Sequence, residues 1–177
     1  MSREWGDLTP PYRTIVADPP WRFPSAFTKA DAGKHYSTMS LGDICRLPVQ
    51  QLADDSTHLW LWAVNGLLEE AFVVMRSWGF SLVTVVTWCK NRPGVGHYVR
   101  NNTEHVLLCS RGKPQVPEDK PLSSWFEWPV GVHSAKPEGF YGLVETVSPG
   151  PYVELFARQP HLGWDSWGRG FEASVAS

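Results

Sequence analysis

The chain reads as an α/β protein, a three-layer sandwich with helices on both faces of a mostly parallel sheet. Two observations predict it. Short runs rich in β-branched and aromatic residues alternate with segments of helical spacing, the order that builds parallel strands joined by crossover helices. The first run, Thr14-Ile15-Val16-Ala17, is broken by Asp18-Pro19-Pro20-Trp21, so a buried strand delivers an acid, two prolines and an indole to its carboxyl end. In open α/β sheets ligands bind along that edge. With 177 residues, 42% hydrophobic and 19% charged, there is enough apolar chain for one core and too little charge for wholesale disorder. A single domain over 1–177 is expected.

Each element has a local cause. Thr14 to Asp18 is the first strand. Ser40 to Leu47 is a short helix, with Ser40 as N-cap, Asp43 three residues on and Pro48 as its stop. His58 to Ala63 is a strand. Leu67 to Trp78 carries Leu68, Ala71, Phe72 and Met75 at helical spacing and ends at Gly79. Leu82 to Cys89 and Glu104 to Ser110 are strands, separated by a polar loop, Asn91 to Asn102, that holds Pro93, Gly94 and Gly96. A Pro-rich loop runs to Leu122, and Ser124 to Trp128 is a short strand. Pro137 to Val147 is a helix opening on Pro and Glu, Tyr152 to Ala157 is a strand, and the Gly- and Trp-rich tail from Gly163 is assigned no element.

The turn after the first strand carries the chemistry. An ionised Asp and a proline carbonyl only accept hydrogen bonds, so Asp18, Pro19 and Pro20 suit a group with two protons to give. The exocyclic amino group of adenine or cytosine is such a group. Fixing both its N–H bonds favours the pyramidal nitrogen whose lone pair can attack, by positioning and preorganised electrostatics. Trp21 offers a face on which the base could stack. The alternative is an Asp turn at a loop start with Trp21 in the core.

Other chemistries lack support. No GxGxxG follows a strand, since Gly94-Val95-Gly96 is too short and lies in a loop. No serine or cysteine sits in a nucleophile elbow. His105, His133 and His161 lack metal-ligand spacing, and Cys45, Cys89 and Cys109 are widely spaced in apolar stretches, so no metal is expected and the thiols read as free in a reducing compartment. Residues 1–6 hold no apolar signal core and no run approaches the ~18 apolar residues of a membrane span, so a cytoplasmic protein without a membrane partner is expected. A net charge of −2 is low for a partner of polyanionic nucleic acid. Arg22, Lys29 and Lys34, then Lys90, Arg92 and Arg100, fall on loops expected at one sheet edge and form a candidate phosphate-binding patch. A partner subunit or a second copy in a homodimer is the other source of affinity.

Several blocks stand in one order: Ala17-Asp18-Pro19-Pro20-Trp21, His35-Tyr36-Ser37-Thr38-Met39-Ser40, His58-Leu59-Trp60-Leu61-Trp62, Trp88-Cys89-Lys90, Gly96-His97-Tyr98, Glu104-His105, Ser134-Ala135-Lys136-Pro137-Glu138, Ser148-Pro149-Gly150 and Glu154-Leu155-Phe156-Ala157-Arg158. Together, from about Ile15 to Gly168, they resemble the MT-A type adenine-N6 methyltransferases, named after a seventy-kilodalton subunit. The resemblance implies a Rossmann-like methyltransferase fold with permuted motif order. It implies S-adenosylmethionine (SAM) as methyl donor and adenine N6 in DNA or RNA as acceptor, DNA being favoured by the family's compact single-domain relatives. On these positions Asp18, Pro19, Pro20 and Trp21 form the catalytic turn, and Tyr36, Glu104 and His105 fall on the substrate side. Lys136 meets the cofactor's carboxylate, Arg158 and His161 its ribose, and Asp7, Leu8, Asp18, Gly168 and Arg169 complete its contacts. Two departures stand out: Arg169-Gly170 where Asn-Gln is frequent, and Ala135 where His is common. The alternatives are a non-catalytic nucleic-acid-binding subunit, and methylation of cytosine N4.

Overall fold

A computed structural model of the chain describes residues 5–23, 38–92, 94, 96, 98–116, 122–131 and 136–168. Seven strands form one sheet: β1 (Tyr12–Ala17), β2 (Ala53–Val64), β3 (Ser81–Cys89), β4 (Thr103–Arg111), β5 (Trp125–Glu127), β6 (Tyr152–Leu155) and β7 (Trp164–Trp167), in the spatial order β5-β3-β4-β2-β1-β6-β7. Helices α1 (Leu41–Arg46), α2 (Leu68–Ser77) and α3 (Glu138–Val147) pack on it. β1 pairs in parallel with β2 and β6, β6 with β7, and β3 with β5, whereas β4 runs antiparallel to both β2 and β3. The sheet is therefore mixed and mostly parallel. Because β4 is reversed, its beginning lies beside the carboxyl ends of the other strands.

Period-two alternation divides the strands between two cores. Ile15, Ala17, Leu59, Leu61, Ala63, Leu107, Cys109, Val153 and Leu155 face α1 and α2, where Ile44, Ala71, Val74 and Trp78 cover them. Val16, Trp60, Trp62, Val86, Trp88, Val106 and Leu108 face the other way, onto Phe140, Leu143 and Val144 of α3. Most core indoles find an acceptor: Trp60 Nε1 donates to Ser148 Oγ at 2.9 Å, Trp78 Nε1 to the Ile44 carbonyl at 2.9 Å, and Trp88 Nε1 to the Trp128 carbonyl at 2.8 Å. Trp62 Nε1 is buried with no partner among the described residues.

The sequence expectations hold in outline. Ser40 caps α1, its side chain accepting from the Asp43 amide at 3.2 Å. β1 stops at Ala17, leaving Asp18 just outside the ladder, and Pro137 caps α3 from outside its first turn. β2 begins at Ala53, upstream of the expected His58. β7 was not anticipated; it hydrogen-bonds to β6 as an edge strand in the Trp-rich tail. The cysteines are free, and burial pushes the Cys109 thiol up to about 12.

Candidate active site

The register brings the carboxyl ends of β1, β2, β3 and β6 and the start of β4 to one rim. Asp18 follows β1, Asn65 follows β2, Lys90 follows β3, and Glu104 opens β4 opposite Trp88 and Val64. Lys136 lies two residues before α3. Pro19 and Pro20 turn the chain out of the sheet, and the turn is locked by its own backbone: the Trp21 amide donates to the Pro19 carbonyl at 2.8 Å and the Met39 amide to the Pro20 carbonyl at 2.9 Å. Each carbonyl keeps a second lone pair for a substrate.

Charge on this rim is organised around Lys136. Its Nζ lies 3.2 Å from Asp18 Oδ2, donates to Glu104 Oε2 at 3.1 Å, and sits 4.3 Å from the centre of the Trp62 ring. The other oxygen of Glu104, Oε1, accepts from Lys90, whose ammonium lies over Trp88. The side chains of Asp18, Lys136 and Glu104 are 18%, 14% and 17% exposed, so all three are mostly buried and keep some exposure at the rim. Burial opposes ionisation of Glu104, yet Lys136 and Lys90 outweigh it and hold its carboxyl below the usual range. Burial likewise opposes the charge on Lys136, but Asp18 and Glu104 raise its pKa. Both groups are ionised at neutral pH.

Glu154 stands beside Val16, two residues before Asp18, in the β1–β6 register and is 6% exposed. Its Oε1 accepts from the Tyr141 hydroxyl at 3.0 Å, while Oε2 has no partner among the described residues. Burial is the largest cause pushing its carboxyl up to about 7, and the Asp18 charge adds to it, against the Tyr141 hydrogen bond and Lys136. Directly after β6, Phe156 adopts φ 64°, a left-handed conformation that costs a non-glycine residue about 1–3 kcal/mol and clusters at functional turns. Gly168, at the exit of β7, lies so close that an added Cβ would meet the Ala157 oxygen at 2.4 Å.

Several expected site residues meet here. Asp7 belongs to a 3-10 turn whose Trp5 packs edge-on against Trp167 at 4.9 Å, and Trp167 contacts Phe156 at 5.3 Å, so Asp7 and Gly168 share the exits of β6 and β7. Leu8 is buried in the core. Arg158 is exposed just beyond Phe156, and His161 stacks on Tyr141 at 4.3 Å with Nε2 3.7 Å from Glu145. Glu104 and His105, being neighbours on a strand, face opposite sides. Glu104 joins Lys136, while His105 lies 3.1 Å from Thr87 Oγ1 and 2.6 Å from Asn65 Oδ1, with its pKa lowered by burial. Tyr36, Arg169, Lys29 and Lys34 lie outside the described residues; Arg22, Arg92 and Arg100 are exposed, and Lys90 is engaged by Glu104.

Trp21 differs from expectation. Its indole is 8% exposed, packs in the α1–α2 core, and donates to the Trp62 carbonyl at 3.2 Å. It pins the turn to β2 instead of presenting a free face. Glu154 and Lys90 are the additions that the structure makes. In the sequence Lys90 reads as a basic loop residue and the end of the Trp88-Cys89-Lys90 block, and Glu154 as one letter of a block.

The MT-A70 family model matches residues 12–170. The chain belongs to the MT-A70 family of N6-adenine methyltransferases. It is 28% identical over 178 residues to the type II methyltransferase M.MunI of a Mycoplasma species, spanning 89% of this chain and 76% of that protein. It is 29% identical over 165 residues to the N(6)-adenosine-methyltransferase catalytic subunit METTL3 of Homo sapiens, and 28% identical over 173 residues to the N(6)-adenosine-methyltransferase MT-A70-like protein of Arabidopsis thaliana. Those matches span 88% and 92% of this chain but 27% and 24% of the relatives, about a quarter of their length.

The family uses SAM. The chain's own residues fit such a cofactor, which carries an ammonium, a carboxylate and a sulfonium. The Oε2 of Glu154, without a partner among the described residues, is an acceptor for a cation, Lys136 is a cation whose charge reaches that carboxyl, and the glycine-dependent contact of Gly168 with Ala157 brings two strand exits together behind the left-handed turn at Phe156.

Proposed function

We propose that this chain transfers the methyl group of SAM to the N6 amino group of adenine in DNA. The observation that carries the reading is the carboxylate of Asp18, partly exposed on a rigid Pro-Pro turn at the ligand-binding edge of the sheet and beside a buried ammonium. Asp18 and the free lone pair of the Pro19 carbonyl accept the two amino protons of the base. This fixes the nitrogen and draws its lone pair out of conjugation. When bound, the cofactor supplies the electrophilic methyl group. Lys136 pairs with Asp18 and would hold the cofactor's carboxylate, Glu154 would take its ammonium, and Asp7, Arg158, His161 and Gly168 would contact its ribose and adenine. As the C–N bond forms, the methyl–sulfur bond would break with its electron pair left on sulfur as a neutral thioether; Asp18 would orient the amine and stabilise the positive charge developing on nitrogen until an N–H proton leaves to solvent.

The match over 76% of M.MunI supports DNA, the substrate of type II methyltransferases as a class. A duplex base must first leave the stack, at a cost of a few kcal/mol. Arg22, Arg92 and Arg100 supply phosphate contacts, and a partner subunit or second copy adds to them in a cytoplasmic setting. No helix among the described residues is long and apolar enough to cross a membrane.

The experiment is transfer of labelled methyl from SAM to single- and double-stranded DNA and RNA oligonucleotides, with digestion and mass identification of the product. N6-methyladenine in DNA is expected. N4-methylcytosine, or SAM binding without transfer, would replace the reading.

A further inference from the structure

We infer that Glu104 is a positioning residue that decides whether Asp18 is available to the base, by offering Lys136 a second seat. The inference deepens the proposed function and rests on it. Lys136 occupies the Asp18 oxygen that an incoming amino group needs, at 3.2 Å, and at the same time donates to Glu104 at 3.1 Å. The two carboxylates flank one ammonium above the Trp62 ring, whose face favours a cation wherever it shifts between them. Glu104 is itself anchored: β3 and β4 pair antiparallel, which sets Glu104 opposite Trp88, and Lys90 from the next turn takes its other oxygen. A small displacement of Lys136 towards Glu104 therefore opens Asp18 to the amino group while the ammonium keeps an anionic partner. Without the Glu104 carboxylate, Asp18 is the one direct ion pair left to the ammonium among the described residues, and the base competes with that pair for it. Glu104 touches neither the reacting nitrogen nor the methyl group in this scheme; it works through Lys136.

The test reads binding, not turnover. The oligonucleotide that the wild-type chain methylates is compared with the same oligonucleotide carrying purine, which lacks the amino group, at the target position, in the absence of SAM. Wild type should prefer adenine by on the order of tenfold, as expected for hydrogen bonds to a charged acceptor. Glu104→Gln should reduce the preference to within about twofold of unity, with affinity for the purine oligonucleotide unchanged. The double variant Glu104→Gln/Lys136→Met should regain most of it, because the competing ammonium is gone; a purely structural role for Glu104 predicts no such recovery. Melting curves confirm that each variant folds. Should Glu104→Gln fail to fold, Glu104→Asp, which keeps the charge but withdraws it, should lose preference to a smaller extent. If wild type discriminates and Glu104→Gln discriminates equally, the inference fails while the proposed function stands. If wild type shows no preference, or methylates no adenine, both fall.

Discussion

Replacing Glu154 with Gln separates what the fold wants from what the site wants. The side chain is 6% exposed and holds one good hydrogen bond, from Tyr141 at 3.0 Å, which a glutamine oxygen can still accept. Burial raises the carboxyl from its ordinary value of 4.5 to about 7. In the unfolded chain the group loses its proton near the lower value, so between the two values folding takes up a proton. Stability therefore falls as pH rises through that window and levels off above it. At about 1.4 kcal/mol per pH unit, the cost of the charge is about 1 kcal/mol at pH 5 and about 3 kcal/mol at pH 8. Glu154→Gln should remove it, and urea unfolding of both proteins at the two pH values measures the difference. An equal effect at pH 5 and pH 8, or a variant less stable at pH 8, would refute the burial argument. The same variant should bind SAM several-fold more weakly by calorimetry, since a neutral amide replaces the acceptor that faces the cofactor's ammonium.

Trp21→Ala should destabilise the fold by about 3–5 kcal/mol, the cost of emptying a core indole site, in thermal or urea unfolding; unchanged stability with a tenfold loss of oligonucleotide affinity would return the indole to a stacking role. Gly168→Ala places a Cβ 2.4 Å from the Ala157 oxygen and should cost about 1–3 kcal/mol while weakening SAM binding. Arg92→Ala and Arg100→Ala should each flatten the dependence of log K on log salt by about 0.7–0.9 if each neutralises one phosphate; an unchanged slope would remove that residue from the interface.

The catalytic edge was legible because its signal is local. An apolar β-branched run stopped by Asp18-Pro19-Pro20 has few other readings, and the caps at Ser40 and Gly79 are equally local. What escaped depends on distant partners. The reversal of β4 has no signature, since period-two alternation carries no direction, yet it alone brings Glu104 to the rim beside Asp18. Glu154 is hidden for the same reason: its place beside Val16 comes from the β1–β6 register, fixed between residues far apart in the chain. β7 lacks the β-branched run that marks a strand; its four residues include two tryptophans and an Asp165 whose Oδ2 accepts from Tyr12 at 2.5 Å. At Trp21 one local signal fits both a stacking face and a buried anchor. The choice is made by how far the turn folds back onto β2.

The measurement that bears most directly on the central claim is methyl transfer by Asp18→Ala alongside SAM binding by the same protein. The account predicts a folded variant that binds SAM within about tenfold of wild type and forms no detectable N6-methyladenine. Full transfer by that variant would contradict it.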